Sequence, residues 1–142
     1  MKKIMALTAM TIGIAVAATA QKLAAAKVPL AVRNSFAKMY PGSTAKWESE
    51  KGAFEAGFKQ NGKDLSVLFT KEGTMTESEV DIKVSDLPAT VAPFVKSHYK
   101  GASIKAAAII TKADGSTTYE AEVNKIDVIF DAQGNFVKEV KD

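Results

Sequence analysis

The chain has 142 residues, of which 46% are hydrophobic and 25% are charged, and its formal net charge at pH 7 is +3. It contains one histidine and no cysteine. This composition fits a single domain and excludes a disulfide, a thiol nucleophile and a cysteine-ligated or multi-histidine zinc site within these residues.

The first twenty residues have the pattern of an export signal. Lys2 and Lys3 form a charged start, residues 4–16 are uncharged and mostly apolar, and Ala18-Thr19-Ala20 matches a small-x-small cleavage site. The apolar run is shorter than the roughly 20 residues that a membrane span needs. We therefore predict a signal peptide at residues 1–20, a periplasmic or secreted location, and no membrane association after cleavage. An uncleaved anchor is the alternative.

Removal of this segment changes the charge balance. Without the two signal lysines, the 19 basic residues fall to 17 against 16 acidic ones, so the net charge becomes +1. No cluster of lysine or arginine follows the signal, and the sequence therefore lacks the basic footprint of a nucleic-acid-binding protein.

A helix and a series of strands are predicted next. Residues 21–27 are predicted to be a flexible lead-in, and Pro29 suits the first turn of a helix. Apolar residues at helical spacing run from Val32 to Tyr40, and Pro41-Gly42 ends the helix. Asn61-Gly62 is a strong hairpin signal between alternating segments. The predicted strands of this half are centred on residues 47–49, 54–58, 65–69 and 75–82.

The same order of signals recurs 59 residues later, where the segment from Leu87-Pro88 to Gly101 corresponds to the segment from Val28-Pro29 to Gly42. Pro93 removes a helical hydrogen bond, so the second helix is predicted to be kinked or to start late. Strand patterns follow at 104–110, 119–123, 126–130 and 136–140. A repeated order of elements indicates a duplicated unit, with repeats at 28–84 and 85–142.

These elements define the predicted fold class. Two units of one helix and about four antiparallel strands give an α+β domain. We expect one curved sheet of about eight strands, with both helices packed on one face.

Several motifs resemble those of a known family. They are Val28-Pro29 with Val32 and Phe36, Tyr40-Pro41-Gly42, the Trp47 strand, Asn61-Gly62-Lys63, and Phe130-Asp131 with Gly134-Asn135-Phe136. Together they resemble the PepSY-like, beta-lactamase-inhibitor-like family of small exported proteins, over nearly the whole chain after the signal. The resemblance implies a fold like that of the two-repeat beta-lactamase inhibitory protein. It also implies an exported binding module that inhibits or regulates a secreted protein such as a peptidase.

The residues do not assemble a catalytic or metal-binding motif. His98 corresponds to Met39 in the first copy, so we interpret it as a half-buried helix histidine. Residues 131–135 contain one carboxylate, and Lys71 lies in the equivalent loop, which favours a turn over a calcium loop. Trp47 is predicted to be in the core. We predict no enzymatic activity, no cofactor and no metal. The strand glutamates are predicted to lie on a solvated face: Glu48, Glu50, Glu55, Glu120 and Glu122.

One set of apolar residues falls on the outward phase of the strands. Leu68 and Ile129 occupy equivalent places in the two copies, and Ile109 is a third such residue. We predict that they form an apolar patch on the helix-free face, ordinary scattered exposure of apolar side chains being the other interpretation. An exported protein or peptide is expected to bind through this face or through the hairpin loops. The alternatives are a structural protein that self-associates as a weak homodimer, and a small-molecule carrier.

Overall fold

The computed structural model describes residues 20–141, so the predicted signal peptide lies outside it except for Ala20. One antiparallel sheet of nine strands runs through the domain, and the order of the strands in the sheet equals their order in the chain. Neither helix of this part of the chain is long and apolar enough to cross a membrane. The strands are β1 (Gln21–Leu23), β2 (Lys46–Glu50), β3 (Ala53–Gln60), β4 (Lys63–Phe69), β5 (Met75–Ile82), β6 (Ala106–Lys112), β7 (Thr117–Val123), β8 (Ile126–Phe130) and β9 (Phe136–Lys141), and the helices are α1 (Leu30–Met39) and α2 (Val91–His98).

The predicted antiparallel sheet with helices on one face is found, with nine strands where about eight were expected. The additional strand is β1, which lies in the segment 21–27 that was predicted to be a flexible lead-in. Leu23 pairs with Trp47 of β2 and packs against the first hydrophobic core. A three-residue strand is too short to show alternation, and its place in the sheet depends on that packing.

The hairpins form where the sequence predicts them. Asn61 and Gly62 join β3 to β4 with φ angles of 51° and 76°, and Asn124 and Lys125 join β7 to β8 with φ angles of 52° and 64°. Two successive residues with positive φ form the type I′ turn, whose twist matches that of the flanking strands. These turns set the register on both sides of each hairpin.

Helix α1 packs on the first half of the sheet through its apolar stripe. Val32 and Phe36 are buried, and the ring of Phe36 meets the rings of Trp47 and Phe58 edge-on, at centroid distances of 5.4 and 5.1 Å. Edge-to-face contacts of this kind add to the apolar burial. The prediction that Trp47 is a core residue is confirmed.

Helix α2 begins at Val91, two residues later than its counterpart α1 begins in the first half. Pro93 therefore lies in the first turn, where a missing N–H costs no helical hydrogen bond. The predicted late start is confirmed. Val91 and Val95 are buried in a second core with Val128 and Phe130, separate from the core under α1.

A glycine turn closes on the beginning of each helix. After β4, Gly73 lies against Ala31 and Ser35 of α1, and after β8 Gly134 lies against Thr90. The Thr90 hydroxyl donates a hydrogen bond to the carbonyl of Gly134 at 2.7 Å. Each half of the domain thus fixes its own helix to its own strands.

Candidate functional site

The strand register divides the side chains between two faces. The helix-bearing face carries the two cores, including Val67 and Phe69 in the first half and Val128 and Phe130 in the second. We call the other side the open face. Its cross-strand neighbours include the row Ser66, Glu79, Ile110 and Thr118 and the row Ala108, Glu120, Ile129 and Lys138.

Leu68 and Ile129 lie on the open face, as the sequence suggested, but they are not adjacent. Leu68 is on β4 and half-buried, whereas Ile129 is on β8 and buried. Four strand spacings separate them, or about 19 Å across a flat sheet. Between them lie β5, β6 and β7, whose open-face side chains are not only apolar.

The assignment of Ile109 to the helix-free face is wrong. Ile109 pairs with Val80 and Tyr119 and lies on the helix-bearing face. Strand β6 carries apolar residues on both faces, so alternation does not reveal its phase. Its neighbour Ile110 takes the place on the open face and is buried there.

The burial of side chains on the open face indicates that the sheet curves towards that side. Ala108, Ile110 and Ile129 are buried there although both cores and both helices lie on the other side. The charge of Lys138 on β9 acts against the rise in the pKa of Glu77 on β5, although a flat sheet would hold these two strands about 19 Å apart. Irregularities after Leu68 and after Ile129 in the register add local bending.

Three carboxyl side chains are buried in this concavity. Glu120 is 2% exposed, Glu79 6% and Asp127 7%. Within residues 20–141, Oε2 of Glu120 is a buried side-chain atom without a hydrogen-bond partner. The prediction that Glu120 lies on a solvated face is therefore wrong. Alternation places a residue on a face, but burial of that face depends on the curvature of the sheet.

Burial raises the pKa of both glutamates at the centre of the face well above the ordinary value. At Glu79 the negative charges of Glu120 and then Asp81 add to the effect of burial. At Glu120 the additional contributions come first from Asp127 and then from Glu77. Desolvation and like charges both disfavour the ionised carboxylate, so both groups tend to keep their protons.

Lysines lie on the open face as well, towards its rim. Burial raises the pKa of Glu77, and the charges of Lys112 and Lys138 act against that rise. Acidic groups nevertheless outnumber these lysines around the centre. The carboxyl side chains on this face include Glu48, Glu55, Glu77, Glu79, Asp81, Glu120, Glu122 and Asp127.

These carboxylates do not converge as metal ligands do. In the part of the chain that the structure describes, no group of three or more histidine, aspartate or glutamate side chains could hold a metal ion. Asp131 lies in the turn after β8, where its Oδ1 accepts hydrogen bonds from the backbone N–H groups of Gln133 and Asn135 at 2.9 and 2.8 Å. The interpretation of this segment as a turn is confirmed.

His98 is exposed at the end of α2, whereas a half-buried position was predicted. Its ring stacks on Phe94 with a centroid distance of 3.9 Å. Its Nδ1 lies 2.9 Å from both the Phe94 carbonyl oxygen and the Ser97 hydroxyl. Its hydrogen-bonding and stacking neighbours come from its own helix.

Comparison with known proteins supports this architecture. Residues 14–77 and 52–138 each match the family model described as “Putative beta-lactamase-inhibitor-like, PepSY-like”. No curated protein matches the chain.

Three solved structures with a similar fold are from Bacteroides species. One from Bacteroides eggerthii, described as “putative periplasmic proteins”, shares 20% identity over 80% of this chain and 88% of its own, with a TM-score of 0.71. A DUF2874 family protein from Bacteroides uniformis shares 21% over 79% and 88%, with a TM-score of 0.70. A BLIP-like protein from Bacteroides fragilis shares 23% over 78% and 83%, with a TM-score of 0.63. At these identities the likeness shows the fold.

Proposed function

The chain belongs to the PepSY-like, beta-lactamase-inhibitor-like family, and from this premise we propose that the protein is an exported, non-enzymatic binding module. Its open face would engage a secreted protein or peptide, which it inhibits or regulates, a peptidase being one such partner. The predicted signal peptide and the periplasmic description of a structural neighbour support export.

The observation that carries this proposal is the concave open face. A sheet face without helices is usually solvated and lined by polar residues. Here its centre combines buried apolar groups with buried carboxyls, and charged side chains surround that centre. A concave, partly desolvated surface with a polar rim has the anatomy of a protein-binding site.

A pair of leucine substitutions tests the use of the open face. Leu68 is half-buried on that face, whereas Leu30 is 62% exposed on α1, on the opposite side of the sheet. We expect Leu68→Lys to abolish capture of a partner from the envelope fraction, because it places a long charged chain on the docking surface. Leu30→Lys is the matched control and should capture that partner as the unchanged protein does.

Circular dichroism and thermal melting establish that both variants fold. A folded Leu68→Lys variant that captures the same partner with unchanged affinity would show that the open face is not the binding surface. Leu68 is preferred to Ile129 because Ile129 is buried, and its replacement would disturb packing as well as binding.

Self-association is the second candidate, and the edge of the sheet favours it. Strand β9 ends the sheet, and Phe136 and Val137 on it are exposed. Unpaired edge strands can pair with another copy. Sedimentation at micromolar concentration would show a dimer that Val137→Lys weakens, and a strict monomer contradicts this role. The carrier alternative stays a prediction.

A further inference from the structure

The centre of the open face contains an acid that has no internal partner. Glu120 is 2% exposed, and its Oε2 makes no hydrogen bond within residues 20–141. Buried polar atoms in folded proteins are nearly always paired, and leaving one unpaired costs roughly 1–3 kcal/mol. An unpaired buried oxygen in a concave surface is therefore a position where an external donor would add a missing hydrogen bond.

A short side chain lies between Glu120 and Glu79. Its cross-strand neighbour on β6 is Ala108, and Glu79 faces Ile110 on the same strand. Ala108 has no side chain beyond Cβ, and it is fully buried, so an entering side chain would displace the groups that cover this part of the face. A long, narrow side chain entering there would meet a carboxyl on each side.

Charge decides which class of donor fits. The groups that act on Glu79 and Glu120 include five further carboxyl groups on β3, β5, β7 and β8. Acidic groups do not attract an acidic ligand, and they do not converge in the way a metal site requires. Lysine and arginine are long side chains with several N–H donors and a positive charge, and they complement the face in both shape and charge.

We propose that the open face binds a basic segment of the partner polypeptide, and that a lysine or arginine side chain of that segment enters between β5 and β7 to pair with Glu79 and Glu120. This inference rests on the proposed function, since it specifies what the partner presents to the face. Charge-assisted pairs of this kind are among the strongest hydrogen bonds in proteins.

Proton release follows from this pairing. Both carboxyls hold their protons more tightly than ordinary glutamates, and a neighbouring cation favours their ionised form. Docking should therefore expel protons into the buffer. The protonation of the two carboxyls also depends on the other charged groups around them, which are Glu55, Glu77, Asp81, Lys112, Glu122, Asp127 and Lys138.

Calorimetric titration with model peptides tests the proposal. The probes are short alternating lysine–alanine and arginine–alanine peptides at low salt, with serine–alanine as the neutral control. The basic peptides should bind, with proton release measured in two buffers of different ionisation enthalpy. Glu79→Gln/Glu120→Gln should weaken binding roughly ten- to hundredfold and abolish the release. The matched control, Glu72→Gln/Asp86→Asn, removes two exposed carboxylates and should bind as the unchanged protein does.

The outcomes separate this inference from the proposed function. Equal affinity of the glutamine variant and the unchanged protein would overturn the inference, as would equal binding of neutral and basic peptides. Specific displacement of the peptide by calcium chloride, beyond that by sodium chloride of equal ionic strength, would replace it with a metal site. If the double variant fails to fold, the single variant Glu120→Gln is titrated with the same peptides in its place. If a captured partner tolerates the glutamine variant and is lost with Leu68→Lys, the open face binds it through other groups.

Discussion

The two central glutamates predict how the stability of the protein depends on pH. In the unfolded chain both carboxyls ionise near the ordinary value of 4.5, whereas in the native state burial raises the pKa of Glu79 and of Glu120. Between these values the native state binds more protons than the unfolded state. The free energy of unfolding therefore decreases as the pH rises, which is the opposite of the dependence that ion-paired carboxylates produce.

The expected magnitude follows from proton linkage. Each proton that the native state retains and the unfolded state has lost lowers the free energy of unfolding by about 1.4 kcal/mol per pH unit. One retained proton gives a loss of about 3 kcal/mol between pH 5 and pH 7, and two retained protons would double the slope. Such a change is a large part of the roughly 5–15 kcal/mol by which a domain is stable.

Urea denaturation at several pH values between 5 and 7 measures this slope. The Glu79→Gln/Glu120→Gln variant has no proton to lose at these positions, so its slope should be smaller by about 1.4 to 2.8 kcal/mol per pH unit. Glu72→Gln, at an exposed loop position, should keep the slope of the unchanged protein. A slope that is the same in the double variant and in the unchanged protein would refute the assignment of the protons to this pair.

Two further predictions concern the packing of the second half. Gly134 and Gly115 both have a φ of 84°. A Cβ at Gly134 would lie 2.7 Å from Cβ of Pro88, whereas a Cβ at Gly115 would have no atom of another residue within 4 Å apart from its chain neighbours. We expect Gly134→Ala to cost more than the roughly 1–2 kcal/mol of backbone strain that Gly115→Ala should show in urea denaturation, and equal losses would contradict the clash. Phe130→Ala should lower the free energy of unfolding by about 3–5 kcal/mol because Phe130 is fully buried. Phe136→Ala, at an exposed ring, should lower it clearly less. A larger loss of stability at Phe136 than at Phe130 would show that the core is misassigned.

Local features of this fold could be predicted from the sequence because they depend on neighbouring residues. The type I′ turn at Asn61-Gly62 is fixed by two backbone angles, and the stripe of α1 is fixed by helical spacing. The late start of α2 follows from the missing N–H of Pro93. In each case the cause and the effect lie within a few residues of each other.

The remaining features depend on contacts between distant parts of the chain. The burial of Glu120 results from the curvature of the whole sheet, which no single strand encodes. The phase of β6 is hidden because Ala108 and Ile109, on opposite faces, are both apolar. The sequence pattern thus located the open face through Leu68 and Ile129 but missed its acidic centre. The only feature of the sequence that pointed to this acidic centre was an acidic residue in the middle of a predicted central strand.

The agreement between strand order and chain order has a consequence for the folding rate. Every strand pairs with the strand before it, and only the pairings of β1 with β2 and of β5 with β6 enclose a helix. Short separations between contacting residues lower the entropy lost in closing each loop, and domains with such contacts fold faster than other β proteins of similar size. The sheet can therefore grow by adding one hairpin at a time, without waiting for distant segments to meet.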